Sequence, residues 1–379
     1  MKQSVALVAT PDYTPFHITE SLHRLLSELG GLERFISPGQ RVLLKPNLLA
    51  GKPPEKAVTT HPAVVRAMVE AVQQVGAIPI VGDSPGIGSP EQVARKCGIL
   101  EVCEQTGAEF IPFTESTTIS LGEGSFQKLE IATALLDADV IINLPKLKTH
   151  QMMGLTCAVK NLYGAVVGKR KISLHLQAGT SKERFARLLL ELAARLAPAL
   201  TIVDAVTAME GHGPGSGDPV HVGALFGGAS CIAVDTLAEE LTGLPRERLW
   251  TQKLAHQQQL PGHCLEQLEV VGDSLETLRV RHFKPARQTD VNFGLPGPLR
   301  RTLRKSLTAY PGILHDTCIR CGLCVSHCPP QAMILKQQVD IDLDTCIRCF
   351  CCQELCPYGA IATRQGVLLK IAEHLHNRN

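Results

Sequence analysis

The tightest constraint on this chain is a run of cysteines that occurs twice near its C-terminal end. The first reads Cys318-x2-Cys321-x2-Cys324-x3-Cys328-Pro329 and the second Cys346-x2-Cys349-x2-Cys352-x3-Cys356-Pro357, 28 residues further on. The repeat extends beyond cysteine, since Asp316-Thr-Cys-Ile-Arg-Cys321 returns as Asp344-Thr-Cys-Ile-Arg-Cys349 and Ala332 as Ala360. Two-residue gaps let one tight loop present three thiolates to a single centre. A fourth cysteine after a three-residue gap, followed by Pro, belongs to cubane iron–sulfur sites in which it ligates the cluster of the other half. That crossing assigns Cys318, Cys321, Cys324 and Cys356 to one [4Fe–4S] cluster, and Cys346, Cys349, Cys352 and Cys328 to a second. Zinc takes one tetrahedral set of four ligands and needs no doubled, crossed spacing. Disulfides do not suit a chain that shows no secretion signal.

With every ligand position filled, this module resembles a bacterial-type ferredoxin with two [4Fe–4S] clusters, which implies one-electron transfer. A ninth thiol, Cys351, lies between Cys349 and Cys352 and is expected to pack against its cluster rather than replace a ligand. Ile319, Ile347, Phe350 and Ile361 are expected to shield the clusters from water. The remaining five of the 14 cysteines, Cys97, Cys103, Cys157, Cys231 and Cys264, are scattered through apolar sequence and read as small buried hydrophobes.

At 379 residues the chain can hold a large and a small domain, and 44% hydrophobic with 20% charged residues allows a substantial core. A net charge of +2 and only 4% aromatics give no reason to expect nucleic acid. No run approaches the roughly 20 apolar residues of a membrane helix. The five-residue apolar run Val5–Ala9 is too short for a signal peptide. A cytoplasmic protein is expected.

Residues 1–283 alternate short apolar runs with helical periods. Strands are expected at Val5–Ala9, Arg41–Lys45, Ile78–Val81, Val140–Asn143, Thr201–Asp204 and Val222–Phe226. Helices are expected at Ile18–Leu29, Pro62–Val75, Pro90–Lys96, Lys182–Leu196 and Val234–Leu241. Ser89-Pro90-Glu91-Gln92 is a helix start, with a capping Ser and Pro at the first turn. Gly30-Gly31 and Gly76 sit where helix ends want positive φ. The alternation predicts an α/β fold: a mostly parallel sheet with helices on both faces. A Pro-rich basic linker is read at 284–312, carrying Arg300-Arg301-Thr-Leu-Arg304-Lys305 as a solvated helix face. Then come a small α+β ferredoxin-like domain at 313–364 and a C-terminal helix at 365–379.

Ligands of open parallel sheets bind beyond the carboxyl ends of the strands, so the polar residues that follow each strand are the candidates. Lys45 and Asn47 follow the second expected strand, and Asp83 and Ser84 the third. Lys146, Lys148 and His150 follow the fourth, with Lys160 and Lys169 beyond. This cationic group suits a carboxylate or phosphate. Asp83 and Ser84 also fit as caps of the helix at Pro90, and Lys146 and Lys148 as solvated charges on a strand end. His61, before Pro62, reads as a capping residue. Glu210 and His212 lie in a glycine-rich stretch that is either a flexible loop or a lid carrying an acid and a base. Neither His150 nor His175 has a carboxylate or Cys at metal-ligand spacing. Neither the phosphate-binding P-loop nor the dinucleotide fingerprint is present.

The blocks Lys45-Pro46-Asn47, Thr60-His61-Pro62, Gly82-Asp83-Ser84-Pro85-Gly86, Leu144-Pro145-Lys146-Leu147-Lys148-Thr149-His150, Val159-Lys160-Asn161-Leu162-Tyr163-Gly164 and Met209-Glu210-Gly211-His212-Gly213-Pro214 resemble those of the family called domain of unknown function 362. They occur in order between about Val5 and Leu244. Members often carry a ferredoxin module, and the resemblance implies no reaction.

Two functions compete. In one, the chain is an iron–sulfur oxidoreductase whose module exchanges electrons with an anionic small molecule held by Lys45, Asn47, Asp83, Ser84, Lys146, Lys148, Lys160 and Lys169. His150, His212 and Glu210 are then its candidate catalytic groups. In the other, it is an electron carrier or maturation subunit whose α/β domain docks a partner protein. Either needs a redox partner protein or a low-potential electron donor. A purely structural role for the clusters is the weakest reading, because two crossed clusters exceed what stapling requires.

Overall fold

A computed structural model describes residues 2–122, 126–289 and 303–376. Its centre is a ten-stranded sheet built from β1 (Gln3–Ala9), β2 (Arg41–Pro46), β3 (Ile78–Val81), β4 (Glu109–Phe110), β7 (Val140–Leu144), β8 (Lys146–His150), β9 (Gly154–Thr156), β10 (Leu200–Glu210), β11 (Asp218–Gly228) and β12 (Leu268–Gly272). The hairpin β5 (Ser116–Ser120) and β6 (Lys128–Ala132) stands apart. The strand order is β12-β1-β11-β10-β7-β2-β3-β4, with β8 and β9 branching from β10. Most neighbours are parallel, but β11 runs antiparallel to both β1 and β10.

Side chains alternate across the sheet and divide the core in two. Val42, Leu44 and Val81 face one side, where they meet Ile18, Leu22 and Leu25 of helix Pro15–Glu28 and Val64 and Met68 of helix Pro62–Gln74. Leu43 and Ile80 face the other, against Phe185 and Leu188 of helix Lys182–Leu196 and Val234 and Leu237 of helix Cys231–Thr242. Helices therefore cover both faces, as the alternation predicts. The start signals hold locally. Ser89 Oγ accepts from Gln92 N, and His61 Nδ1 caps its helix by accepting from Ala63 N. Of the five outlying cysteines, Cys97, Cys103, Cys157 and Cys231 are buried and Cys264 is partly exposed.

The strand after Val140 does not stop at Asn143. Pro145, which has no N–H to donate, interrupts the ladder, and β8 continues beyond it beside β10. Lys146 and Lys148 are thus buried within a strand rather than solvated at its end, Lys146 against Tyr13 and Asp204 and Lys148 against Asn47 and Val58.

The cysteine module pairs β13 (Ala309–Ile313) with β16 (Ile361–Gln365) and β14 (Met333–Leu335) with β15 (Val339–Ile341), both antiparallel. It begins at Ala309, four residues inside the expected linker, because β13 is needed as the partner of β16. Residues 290–302, with Arg300 and Arg301 of the basic run, lie outside the described residues. A helix at Val367–His376 follows the module. Among the described residues no helix is long and apolar enough to cross a membrane.

Candidate functional site

The two halves of the module have one backbone. Each holds the same three positions at positive φ: Arg320 and Arg348 (60° and 62°), Gly322 and Phe350 (74° and 60°), Gln331 and Gly359 (54° and 63°). Four of these six are not glycine, a strained choice that persists only when the surroundings over-determine it. Each half aims a backbone N–H at its fourth cysteine, Ala332 N to Cys328 Sγ and Ala360 N to Cys356 Sγ, both at 3.2 Å. Cys324 has Cys356, Cys318 and Cys321 as its electrostatic neighbours, and Cys328 has Cys349 and Cys346. Cys352 has Cys349, Cys346 and Cys328 ahead of Cys324. Among the described residues no three Cys, His, Asp or Glu converge on one metal ion. A cubane does not ask for that, because its four thiolates bind four separate irons. The donor set and the backbone fit a [4Fe–4S] site.

This module sits on the strand ends of the large domain. Lys52 Nζ donates to Pro357 O, Arg287 to Thr363 O and Gln365 Nε2 to Gln288 O. A Cβ on Gly86 would lie 3.1 Å from Leu49 and 3.5 Å from Leu355, so glycine is what lets the module approach. Between the two bodies lies a cavity of about 260 Å³, far above the roughly 10–15 Å³ that one water needs. The large domain contributes Leu49, Asp83, Lys148, Lys160, Lys171 and His175 among others, and the module contributes His327, Cys351, Glu354 and Leu355.

Six of the expected site residues line this cavity: Asn47, Asp83, Ser84, Lys148, Lys160 and Lys169. Several of them are already committed. Asp83 lies 2.8 Å from Lys45 Nζ and accepts from Leu48 N. Ser84 Oγ accepts from Gly168 N and, with Ser84 O and Pro85 O, surrounds Lys171 Nζ at 2.6–3.1 Å. Asn47 bridges Lys148 Nζ to Asn161. Lys169 is exposed at the rim.

The other five expected site residues lie outside the cavity lining. Lys45 is sealed beneath the cavity by Asp83 and by Asn161 O at 2.6 Å, where a Cβ on Gly164 would lie 2.1 Å from Asp83 Oδ1. Lys146 is enclosed by Asp204 (2.8 Å) and Tyr13 OH (2.7 Å). Neither lysine lines the cavity, because each has its own buried counter-ion. Glu210 accepts from Lys284 N and lies 3.1 Å from Lys284 Nζ, which fixes the start of the linker. His212 stands in the same stretch, also outside the cavity lining. His150 is fully buried behind Glu354. Its Nδ1 accepts from Met152 N and Met153 N, so its proton belongs on Nε2, 2.7 Å from Glu354 Oε1 but off the line of an ideal hydrogen bond.

Burial sets the protonation states. It lowers Lys148 well below the usual lysine value, helped by Lys160 and Lys146, and lowers Lys160 against the pull of Glu354. It brings Lys171 down to about 7, His150 to about 4 and His175 to about 3. Burial alone would raise Glu354, but His150, Lys160 and His175 outweigh it and hold the carboxyl at about 2. Sequence reasoning missed Lys171 and Glu354 as site residues. Lys171 stood two residues from Lys169 as a signal. Nothing near Glu354 in the sequence announces that the module faces the sheet.

A domain of unknown function 362 model matches residues 42–240, and a 4Fe–4S dicluster domain model matches residues 310–357. The chain belongs to the domain of unknown function 362 family. It is 36% identical over 304 residues to the thylakoid-associated protein sll1697 of Synechocystis sp. (strain ATCC 27184 / PCC 6803 / Kazusa), covering 80% of this chain and 94% of that protein. Among solved structures, the lactate racemase apoprotein of Thermoanaerobacterium thermosaccharolyticum aligns with a TM-score of 0.42 at 12% identity, over 62% of this chain. This chain spans only 56% of that racemase. Within the family, this member binds [4Fe–4S] iron–sulfur and carries its module directly over the family domain's strand ends.

Proposed function

We propose that this chain is an iron–sulfur oxidoreductase with two [4Fe–4S] clusters, held by Cys318, Cys321, Cys324 and Cys356 and by Cys346, Cys349, Cys352 and Cys328. Its module exchanges electrons with an anionic small molecule in the junction cavity. One observation carries this reading. The cavity has lysines of the α/β domain on one wall and, on the other, Cys351, Glu354 and Leu355, which are interleaved with the cluster ligands of the second half. A [4Fe–4S] cluster, when bound, supplies one-electron transfer. The chain's own residues hold the anion (Lys148, Lys160), keep water out (Leu49, Leu355) and fix the docked module (His150 with Glu354).

Burial supports a pocket over a protein-docking face. Lys148, which lines the cavity, is 1% exposed, so a partner surface cannot reach it. A redox partner or low-potential donor would meet the first half, where Cys321 and Ile319 are exposed. A cytoplasmic setting suits a chain in which none of the fourteen cysteines forms a disulfide. Anaerobically prepared protein should carry about eight iron and eight sulfide per chain, bleach reversibly with dithionite and show EPR signals on reduction. Colourless, zinc-bearing protein would refute the cluster assignment. A thermal-shift screen of carboxylates and phosphates in which none raises Tm would remove the pocket.

A further inference from the structure

Most polar groups around the junction cavity are spent on one another. The exceptions define a ligand. Lys171 has three acceptors for its three N–H bonds, and Tyr163 OH donates to Lys171 O. Asp83 and Glu354 face Lys45 and His150. Lys148 Nζ donates to Asn47 Oδ1 (2.7 Å) and Val58 O (2.6 Å) and has no carboxylate partner among the described residues. An anion beside it would favour its protonated form against the pull of burial and engage the third donor that form carries. Lys160 makes no ion pair there either, and its ammonium stands 5.8 Å from the Tyr163 ring centre. The imidazole of His175, 5% exposed, lines the same cavity with no partner for its Nδ1. Lys45 and Lys146 show what this fold does with a buried lysine that needs an internal counter-ion: each has an aspartate within 2.8 Å. Lys148 and Lys160 have no carboxylate at that distance, although half-buried Lys160 feels the charge of Glu354, so an anion entering the cavity would meet two lysines with no close ion pair.

The rest of the lining limits what that anion is. Among the described residues no arginine lines the cavity, so none of them offers a planar fork to a phosphate. The carboxylates and the Asn47, Asn161, Ser84 and Tyr163 side chains that would bind sugar hydroxyls are already hydrogen-bonded. The lining also includes the apolar Leu49, Ile87, Ile172, Pro214 and Leu355. We propose that the cavity takes a small carboxylic acid with an otherwise apolar body, its carboxylate set between the ammonium groups of Lys148 and Lys160. This rests on the anion reading above and narrows it.

Calorimetric titration of the anaerobic full-length protein tests it, with trans-cinnamate, cinnamyl alcohol, inorganic phosphate and adenosine 5′-monophosphate as probes. Cinnamate should bind with a Kd of about 1 mM or tighter and the alcohol at least about tenfold more weakly. Lys160→Gln should lose at least about tenfold in cinnamate affinity with the Tm and the visible spectrum unchanged. Lys160→Arg should recover most of that loss, and Lys128→Gln, on the exposed hairpin, should change nothing. If phosphate or the nucleotide binds and cinnamate does not, the carboxylate proposal is overturned while the anion reading stands. Equal affinity for cinnamate and its alcohol, or no effect of Lys160→Gln, overturns the lysine assignment. If no probe binds, the anion reading falls as well.

Discussion

In the first half of the cysteine repeat, Gly322, Leu323 and Ser326 occupy the positions that Phe350, Cys351 and Glu354 hold in the second. The backbones match, down to the same three left-handed residues. The surroundings do not. Cys321 is exposed and Cys318, Cys324 and Cys328 are partly so, whereas Cys346, Cys349, Cys351 and Cys352 are all buried. The first half looks outward, with Ile319 57% exposed, and the second is pressed against the strand ends of the large domain. A duplicated scaffold thus turns one face to solvent and the other to the junction cavity. The cluster chemistry fixes what the halves share, and docking fixes where they differ.

Substitutions at matched positions test that contrast. Phe350 is 1% exposed and packs with Ala309 and Leu369, so Phe350→Ala should cost about 3–5 kcal/mol, read from the urea midpoint of anaerobic protein. Its counterpart Gly322→Ala loses no packing and only places a Cβ at φ 74°, which should cost about 1–2 kcal/mol. If the two losses are equal, the asymmetry is wrong. Glu354→Ala strands the buried Nε2–H of His150 and should cost about 1–3 kcal/mol, and it should also loosen the module, seen as faster amide exchange at Met152 and Met153. Ser326→Ala, the same position on the exposed side, should stay within about 0.5 kcal/mol.

Acid should act on the docked side first. His150 and His175 are held neutral, at about 4 and about 3 against an ordinary 6.5. Between those values the unfolded chain binds protons that the folded chain refuses, so stability should fall as pH drops from about 6.5 towards 4. Glu354, depressed to about 2 from 4.5, adds stability that is complete above about 4.5 and disappears as pH falls through 2, in the same direction. Protease cleavage at the junction at pH 5 but not at pH 7 would show it, and a flat stability between pH 7 and 5 would contradict it. Lys171, at about 7, gives the smallest effect. Its protonated fraction grows as pH falls from 8 to 6, so anion affinity should rise over that interval.

Much of this was legible in the sequence because it is local. The iron–sulfur module follows from cysteine spacing alone, and helix Pro90–Lys96 and strand Ile78–Val81 from a capping serine and a run of apolar residues. Six residues of the cavity wall were found by looking beyond strand ends, which is where an open sheet exposes its loops. What the sequence could not decide is which lysine is paired. Lys45, Lys146 and Lys148 look alike in a chain of letters, and only the approach of Asp83, Asp204 and Asn47 from 38, 58 and 101 residues away separates two buried ion pairs from a lysine without a counter-ion. The same holds for Glu354, a charge in a ferredoxin loop until the module is set down on His150. Spacing determines what a short stretch can bind, because ligand geometry is local. Charge balance in a low-dielectric interior is a property of neighbours in space, and the tertiary structure alone decides it.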